Sequence, residues 1–217
     1  MIDSYKTVGE NTYEMIKKDI IFGNLKPLKK LKLNELKNNY KTSISTLREI
    51  LSRLSGDGFV VYEEQKGFYV SPVSESDLKE IANLRILIES HALKYSLENS
   101  NPDWEGSLLA AHHKLNLYEN KLLKNKTEER SNWKRYDSEF HQTLVRNCNS
   151  KNLIELHKLI FDKYLRYQLL VLTFRGSGSI EEHKKLLDYS LERNFKKAQM
   201  VLEEHIQNGI IHANKSF

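Results

Sequence analysis

The stretch STLREILSRLSGDGFVVYEEQKGFYV, Ser45–Val70, changes its hydrophobic period halfway along. Its first half carries an apolar residue every three or four positions, the spacing of one face of an amphipathic helix. These residues are Leu47, Ile50, Leu51 and Leu54. Its second half has two β-branched and aromatic runs around a polar turn that contains Gly67, a pattern typical of a β-hairpin. The stretch therefore predicts a helix followed by a hairpin.

Two further helices are predicted upstream of this stretch. Their apolar positions are Val8, Ile16 and Ile20 in the first and Leu33, Leu36 and Tyr40 in the second. Gly23 ends the first helix, while Ser43 is placed to cap the third, which ends at Gly56 or Gly58. This order of three helices and a hairpin is that of a winged helix-turn-helix, a fold that binds DNA.

A boundary is predicted near Pro72, where the strand-like run in FYVSPVSESDL gives way to serine and acidic residues. From Glu75 onward the apolar residues follow a helical period in six successive segments. In the first of these segments the apolar positions include Leu78, Ile81, Leu84, Ile88 and Leu93. We therefore predict a mainly α protein, with a winged helix-turn-helix over residues 1–73 and an all-helical bundle over residues 74–217.

The composition is that of an ordinary globular protein, with 39% hydrophobic and 29% charged residues among 217. No apolar run approaches the ~20 residues that span a bilayer, and the N-terminus lacks a basic and then apolar signal pattern. A cytoplasmic location with no membrane partner is therefore expected. The single cysteine, Cys148, cannot form an internal disulfide and is expected to pack as a small apolar group.

The charge distribution favours an anionic partner for the N-terminal part of the chain. The net charge is +5, and residues 1–73 hold 12 Lys and Arg against 9 Asp and Glu. Charge alone is weak support for nucleic acid, because many proteins with a modest positive charge do not bind it. The residues on the third helix are more specific than the total charge.

The polar face of the third helix has the side chains that a DNA-reading helix needs. This face carries Ser45, Arg48, Glu49 and Ser52, with Arg53 beside them. Arginine can pair with guanine in a major groove, and the hydroxyls of Ser45 and Thr46 at the helix N-terminus can bind phosphate. An ordinary solvated face is the alternative for any single helix. The complete order of short helix, turn, helix and hairpin favours double-stranded DNA.

The stretch YDSEFHQTLV, Tyr136–Val145, places two ionisable side chains on an apolar side of a helix. Asp137 and His141 are one turn apart, and Leu144 and Cys148 fall on the same side. Burying an unpaired polar group costs about 2–7 kcal/mol, so both side chains need partners.

Two later histidines share this feature, since His183 and His205 also lie on apolar stripes. A lone buried histidine is usually satisfied by a carbonyl or a carboxylate, and this alternative stays open for each of them. For Asp137, His141, His183 and His205 as a set, one shared divalent metal such as Zn, Ni or Mn is the more economical prediction. The remaining histidines show no comparable grouping and are predicted to be surface or packing residues: His91, His112, His113, His157 and His212.

The stretch STLREILSRLSGDGFVVYEEQKGFYV resembles the recognition helix and wing of the GntR family of bacterial transcription regulators, in which an Arg-Glu pair precedes an Arg-Leu pair and a glycine-bearing wing tip. The resemblance implies that Arg48 and Arg53 contact DNA and that Lys66 and Gly67 form the wing tip. Ile44 departs from the pattern, because members often carry an arginine at this position. The operator is therefore expected to differ from the usual family consensus.

The helical part resembles the FCD effector domain that defines the FadR subfamily of these regulators. YDSEFHQTLV and EEHKKLLDYSLERNFKKAQMVLEEHI match its metal-site pattern: an Asp and a His one turn apart, then a His, and then a His 22 residues later. All four positions are filled, by Asp137, His141, His183 and His205. The resemblance therefore implies one divalent metal per chain, as in the metal-binding branch rather than the metal-free, acyl-CoA-binding branch.

The leading prediction is a ligand-responsive transcription regulator, expected to act as a repressor. A six-coordinate metal with four protein ligands keeps two positions, which a small carboxylate effector can occupy. Arg85 can pair with the same carboxylate or form an ordinary surface or interhelical salt bridge. One recognition helix reads only a few base pairs, so we expect a homodimer, joined by the helical domain, on a pseudo-palindromic operator.

The alternative is a metal-dependent enzyme that acts on a small carboxylic acid and uses open metal positions to activate water. No general base stands at a recognisable spacing from the predicted ligands. Glu182 and Glu204 directly precede His183 and His205, but adjacent helix residues point about 100° apart. An enzyme would also leave the winged helix-turn-helix unexplained, so the regulator is preferred.

Overall fold

The computed structural model describes the backbone of residues 7–170 and 174–213. These residues form two compact units, with the boundary between Ser74 and Glu75. This boundary lies one residue after the 73/74 position that the sequence around Pro72 suggests. Within the two described ranges, no helix has both the length and the apolar character that a membrane crossing requires.

The first unit contains three helices and a two-stranded antiparallel sheet. Its elements are α1 (Val8–Ile21), α2 (Leu33–Tyr40), α3 (Ile44–Gly56), β1 (Val60–Glu63) and β2 (Gly67–Val70). This order confirms the predicted winged helix-turn-helix, and the hairpin β1–β2 is its wing.

Helix α3 begins and ends at the residues that local chemistry favours. The Ser43 hydroxyl accepts a hydrogen bond from the Thr46 N–H at 3.1 Å, which satisfies one free amide of the first turn. The predicted apolar face is buried at all four positions: Leu47, Ile50, Leu51 and Leu54. Gly56 is the last helical residue, and Gly58, at a φ of +81°, leads the chain into the wing.

Val8, an apolar position that marks the first predicted helix, is the first residue of α1, but its side chain is 72% exposed. Helix α1 begins there because Thr7 and Glu10 form a capping box: the Thr7 hydroxyl accepts from the Glu10 N–H, and the Glu10 carboxylate accepts from the Thr7 N–H. The buried face of α1 begins later, at Thr12 and Tyr13. Hydrogen bonds, not apolar burial, thus define the first turn.

The wing is a short hairpin with a well-defined register. Val60 pairs with Val70, and Glu63 pairs with Gly67. The segment before α2 joins the same sheet through an isolated bridge from Lys30 to Tyr69, so the wing is held on its second side. Gly67 has a φ of +96°, a conformation that side-chain-bearing residues rarely adopt, which explains a glycine at the wing tip.

The second unit is entirely helical within the described residues, which confirms the predicted bundle. Its elements are α4 (Glu75–Glu98), α5 (Pro102–Leu123), a 3-10 turn (Thr127–Glu129), α6 (Arg130–Val145), α7 (Lys151–Leu170), α8 (Ser177–Leu191) and α9 (Phe195–Ala213). Helix α4 packs against α7 and α9, and α5 packs against α6 and α8. This arrangement brings the inward faces of α4, α6, α8 and α9 toward one region of the bundle.

Helix α4 departs from a simple apolar stripe. Leu84, one of the apolar positions of this helix in the sequence, is 45% exposed. The inward face instead carries Arg85 and Glu89, one turn apart and each 0% exposed, between apolar residues such as Ala82 and Ile88. Two buried charges on the face that meets α7 and α9 indicate that the centre of this bundle is a polar site.

Candidate metal centre and DNA-binding surface

Asp137, His141, His183 and His205 meet inside the bundle. Asp137 and His141 extend from α6, His183 from α8 and His205 from α9, and all four are buried. One potential ligand atom from each of the four lies within 4.8 Å of the others. The structure therefore brings together all four residues that the sequence analysis selected as a set.

Each of the three histidines contacts a glutamate through its Nδ1 atom. The distances are 2.5 Å from His141 to Glu89, 2.7 Å from His183 to Glu119 and 2.8 Å from His205 to Glu182. A carboxylate can only accept this hydrogen bond, so for His141 and His183 it fixes the proton on Nδ1 and leaves the Nε2 lone pair available. Carboxylates commonly orient metal-binding imidazoles in this way. The His205 Nδ1 atom also lies 3.1 Å from Arg175 Nη2, which can only donate, so Glu182 alone does not fix its tautomer.

The Nε2 atoms of His141 and His183 are buried and lack a hydrogen-bond partner in the part of the chain that the structure describes. The His183 Nε2 atom lies 3.5 Å from Asp137 Oδ1, and Asp137 Oδ2, 4.0 Å from Lys134 Nζ, is likewise buried without a hydrogen-bond partner among these residues. Unpaired lone pairs of this kind are costly unless something binds them. Three imidazoles and a carboxylate suit a divalent first-row metal, so the residues fit the predicted ion.

Burial and neighbouring charges set the protonation of the predicted ligands. Burial would raise the pKa of the Asp137 carboxyl, but a neighbouring lysine and the histidines hold it well below its usual value. Burial lowers the pKa of His141 and His205, which favours the neutral imidazoles that a metal requires. Burial would also lower the pKa of His183, but Glu119 and Asp137 raise it.

Arg85 is fully buried and belongs to the same network. Its Nε donates to Glu89 Oε2 at 2.8 Å, and Glu89 uses its other oxygen to contact His141. The guanidinium carbon lies 4.4 Å from the Phe161 ring centroid and 4.7 Å from that of Tyr164. Both Nη atoms are buried without a hydrogen-bond partner among the described residues. Arg85 is therefore not a surface residue, and its salt bridge is formed with Glu89 within α4.

Two other histidines are buried, so they are not surface residues. His157 is 1% exposed, and its Nε2 lies 3.3 Å from Glu89 Oε2, at the edge of the network. His112 is 8% exposed and packs edge-on against Phe140, with no carboxylate within hydrogen-bonding distance in the described residues. His112 thus matches the predicted packing role, whereas His157 extends the charged network.

A cavity of about 20 Å³ adjoins three of the predicted ligands. Its wall also includes Trp133, Lys134, Gln168, Arg175, Ser179 and Gly209. Arg175 donates from both Nη atoms to the Glu182 carboxylate, which in turn contacts His205, so the start of α8 is tied to α9. A Cβ at Gly209 would lie 2.2 Å from the Tyr164 hydroxyl, so the helix requires glycine there.

The predicted DNA-reading residues of α3 lie on its accessible side. Ser45, Arg48, Ser52 and Arg53 are exposed, and Thr46 is half-buried. The Ser43 hydroxyl lies 2.8 Å from that of Ser45 and 2.9 Å from that of Thr46, so three hydroxyls cluster at the helix N-terminus. This cluster is suited to phosphate, because helix N-termini carry free N–H groups and a partial positive charge.

The two arginines of α3 differ in their surroundings. Arg48 has no ion-pair partner among the described residues and is free to extend from the helix. The Arg53 guanidinium stacks on the Tyr13 ring of α1, 4.6 Å from its centroid. The hydroxyl of Tyr13 donates to Asp57, which fixes this ring in place. Arg48 is therefore the more adaptable candidate for a base contact.

A groove of about 650 Å³, here called the wing groove, separates α2 and α3 from the wing. Its wall contains the cations Lys30, Lys32, Arg48 and Lys66 and one acid, Glu35. Lys66 forms an ion pair with Glu63 at 3.1 Å, but its side chain is 70% exposed. Ile44 also lines this groove, so the position that departs from the expected arginine stands beside the predicted DNA surface.

Residues 8–70 match the model of the gntR family of bacterial regulatory proteins, and residues 80–208 match that of the FCD domain. The two matches follow the division of the structure into a winged unit and a helical unit. The chain belongs to the GntR family and carries an FCD domain. It is thus a transcription regulator with a DNA-binding domain and an effector domain.

Relatives of this GntR-family regulator span nearly its whole length. It is 28% identical over 211 residues to the HTH-type transcriptional regulator BphR of Paraburkholderia xenovorans, which covers 96% of this chain and 86% of BphR. It is 29% identical over 201 residues to the HTH-type transcriptional repressor GlaR of Escherichia coli. This match covers 89% of this chain and 90% of GlaR. Because families and relatives alike are transcription regulators, the metalloenzyme alternative is rejected.

Solved structures share the fold of this regulator. E. coli McbR/YncC superposes with a TM-score of 0.80 at 22% identity, over 97% of this chain and 98% of McbR. A GntR transcriptional regulator from Rhodococcus sp. RHA1 superposes with a TM-score of 0.78 at 16% identity, over 96% of this chain and 98% of the Rhodococcus chain. At these identities the likeness supports the fold alone.

Sequence reasoning missed the three glutamates that contact the histidines. Glu89 and Glu119 lie on α4 and α5, far along the chain from their partners, and no local spacing links them. Glu182 was set aside because it points away from its neighbour His183, yet it contacts His205 on the next helix. The one available signal was the pair Arg85 and Glu89, which stand one turn apart on a helix face that is otherwise apolar.

Proposed function

We propose that the helical domain of this regulator binds one divalent metal through Asp137, His141, His183 and His205, and that a small organic acid binds beside it. The observation that carries the proposal is the pairing of every predicted histidine ligand with a glutamate at Nδ1, which leaves the Nε2 atoms of His141 and His183 without a hydrogen-bond partner among the described residues. Ordinary buried histidines do not need three separate carboxylates around one point.

Arg85 supports a carboxylate as the effector. Its two Nη atoms are buried and unpartnered in the described residues, although Glu89 already neutralises the charge through Nε. A guanidinium in this state gains two charge-assisted hydrogen bonds when a carboxylate arrives. A bound divalent ion would add positive charge and open coordination positions for the same group. We therefore assign Arg85 to effector binding.

We propose that α3 enters the major groove of a double-stranded operator and that the wing contacts its flank. Ser45, Thr46 and Ser52 would bind backbone, Arg48 and Arg53 would read bases or phosphates, and Lys66 and Gly67 would form the wing contact. The excess of cations in the wing groove supports this assignment. Because the relative GlaR is named a repressor, we propose repression as the mode of action.

The proposal is tested by gel-shift titration of the full-length, zinc-loaded protein on an operator selected from random DNA. We expect a small carboxylic acid, found by screening, to change the affinity for this operator at least about tenfold, a typical allosteric coupling. The change should disappear after chelation, because the acid then loses its metal partner. A response of equal size in the chelated protein would contradict the metal-dependent effector site.

We also propose that the regulator acts in the cytoplasm as a homodimer joined by its helical domain. A single α3 reads only a few base pairs, whereas two copies on a pseudo-palindrome give useful specificity. Light scattering should therefore give a mass of about twice 25.5 kDa both for the free protein and for the protein in its DNA complex. A monomer in both states would exclude this assembly.

A further inference from the structure

Three polar side chains on the cavity wall are not among the predicted metal ligands: Trp133, Lys134 and Gln168. Trp133 Nε1 and Gln168 Oε1 are buried without a hydrogen-bond partner among the described residues. Lys134 is 1% exposed; its Nζ forms an ion pair with Asp137 Oδ2 at 4.0 Å, too long for a hydrogen bond, and lies 3.8 Å from the Trp133 ring centroid. Since buried polar groups are nearly always satisfied, the unpaired atoms of Trp133 and Gln168 point to further atoms of a ligand, which Lys134 could also reach.

The three groups need both a donor and an acceptor. The Trp133 N–H and the Lys134 ammonium can only donate, and Gln168 Oε1 can only accept. A hydroxyl is the small group that meets both needs, because it accepts from one side and donates to the other. A second carboxylate would satisfy the donors but would face Gln168 Oε1 with a lone pair.

The charge of the site leads to the same class of ligand. Around the predicted ligands the described residues place three cations and four carboxylates. The cations are Arg85, Lys134 and Arg175, and the carboxylates are Glu89, Glu119, Asp137 and Glu182. With neutral imidazoles and a divalent ion, this leaves one positive charge. One carboxylate neutralises the site, whereas two leave a buried negative charge, which is unfavourable.

We propose that Trp133, Lys134 and Gln168 form a second subsite that selects a small hydroxy acid with a single carboxylate. The inference rests on the proposed metal and carboxylate site and names the class of its effector. The cavity of about 20 Å³ has room for one or two groups the size of a water, since a single water needs about 10–15 Å³ by this measure, so it accommodates the hydroxyl and not the whole acid. Lys134 and Gln168 line this cavity and would contact the hydroxyl, whereas the ion and Arg85, which lies outside the cavity wall, would contact the carboxylate.

Calorimetric titration of the zinc-loaded, full-length protein tests the subsite with acids of four carbons: butyrate, 2-hydroxybutyrate, 3-hydroxybutyrate and succinate. We expect one of the two hydroxy acids to bind about tenfold more tightly than butyrate, and succinate to bind no better than butyrate. Succinate as the tightest ligand, or equal binding of butyrate and both hydroxy acids, would overturn the subsite and leave the carboxylate site standing. Binding of none of the four would overturn both proposals.

A variant separates the hydroxyl contact from the carboxylate contact. In Gln168→Leu, which keeps the size of the side chain, the hydroxy acid should lose its roughly tenfold advantage while the affinity for butyrate stays unchanged. The matched control is Gln207→Leu, on the exposed side of α9, which should keep the advantage. Thermal melting of each variant in the absence of acid verifies that it folds. Gln168→Met, which also removes the amide, is titrated as a second variant. An advantage that survives both substitutions would overturn the role of Gln168.

Discussion

The His183→Ala variant is expected to lose its metal. His183 contributes one of four predicted ligand groups and is held by Glu119 at 2.7 Å. Mutating residues that merely orient a ligand typically lowers metal affinity about 10–100-fold, so removal of the ligand itself should lower it at least about 100-fold. Elemental analysis after purification without chelators should find about one equivalent in the wild type and only a small fraction of this in the variant.

The metal should also stabilise the wild type far more than the variant. An ion at about 100 times its dissociation constant contributes about 2.7 kcal/mol to the free energy of unfolding, whereas after a 100-fold loss of affinity the same ion contributes only about 0.4 kcal/mol. Melting temperatures measured with and without added zinc report this difference directly. The effector response of DNA binding should disappear in the same variant.

His112→Ala is the matched control for His183→Ala. Both substitutions remove a buried imidazole that packs against Phe140, and both leave a similar cavity. His112 lacks a glutamate at Nδ1 and does not belong to the predicted ligand set. Its variant should therefore melt at a lower temperature but keep its metal and its response to zinc. A wild-type protein without metal, even after incubation with excess zinc at neutral pH, would mean that hydrogen bonds alone satisfy these histidines.

The residues of the candidate site differ in how far sequence can reveal them. Asp137, His141, His183 and His205 are detectable because each breaks an apolar helical stripe, and burial makes such a break costly. Glu119 has no comparable signal: it contacts His183 across 64 residues of chain, and only the packing of α5 against α8 brings the two together. Pairs that depend on helix packing cannot be read from the period of a single helix.

The elements of the fold also differ in how far local sequence signals reveal them. Helix α3 and the wing were predicted because their signals are local: a serine cap, a four-residue apolar face and a glycine at a positive φ. Val8 and Leu84 are apolar positions of their predicted helices, yet their side chains are 72% and 45% exposed. Periodicity identifies the face of a helix but not how far along the helix the neighbouring elements extend.

The Arg48→Ala variant is expected to lose about 1–3 kcal/mol of specific operator binding, or about 5- to 150-fold in affinity, while its fold stays intact. Arg48 is exposed on α3, lines the wing groove and has no ion-pair partner among the described residues, so its removal breaks no visible protein contact. If it reads a guanine, preference at one operator position should also relax.

Two controls make this result specific. Arg146→Ala removes the same charge from an exposed position of the helical domain and should leave operator affinity within about 0.5 kcal/mol of the wild type, as for most surface substitutions. Unrelated DNA measures the contribution of charge alone: Arg48→Ala should weaken binding to it much less than binding to the operator, because base contacts contribute only at the specific site. Equal losses on both DNAs would make Arg48 a phosphate contact, and an unchanged affinity for the operator would remove α3 from the reading role.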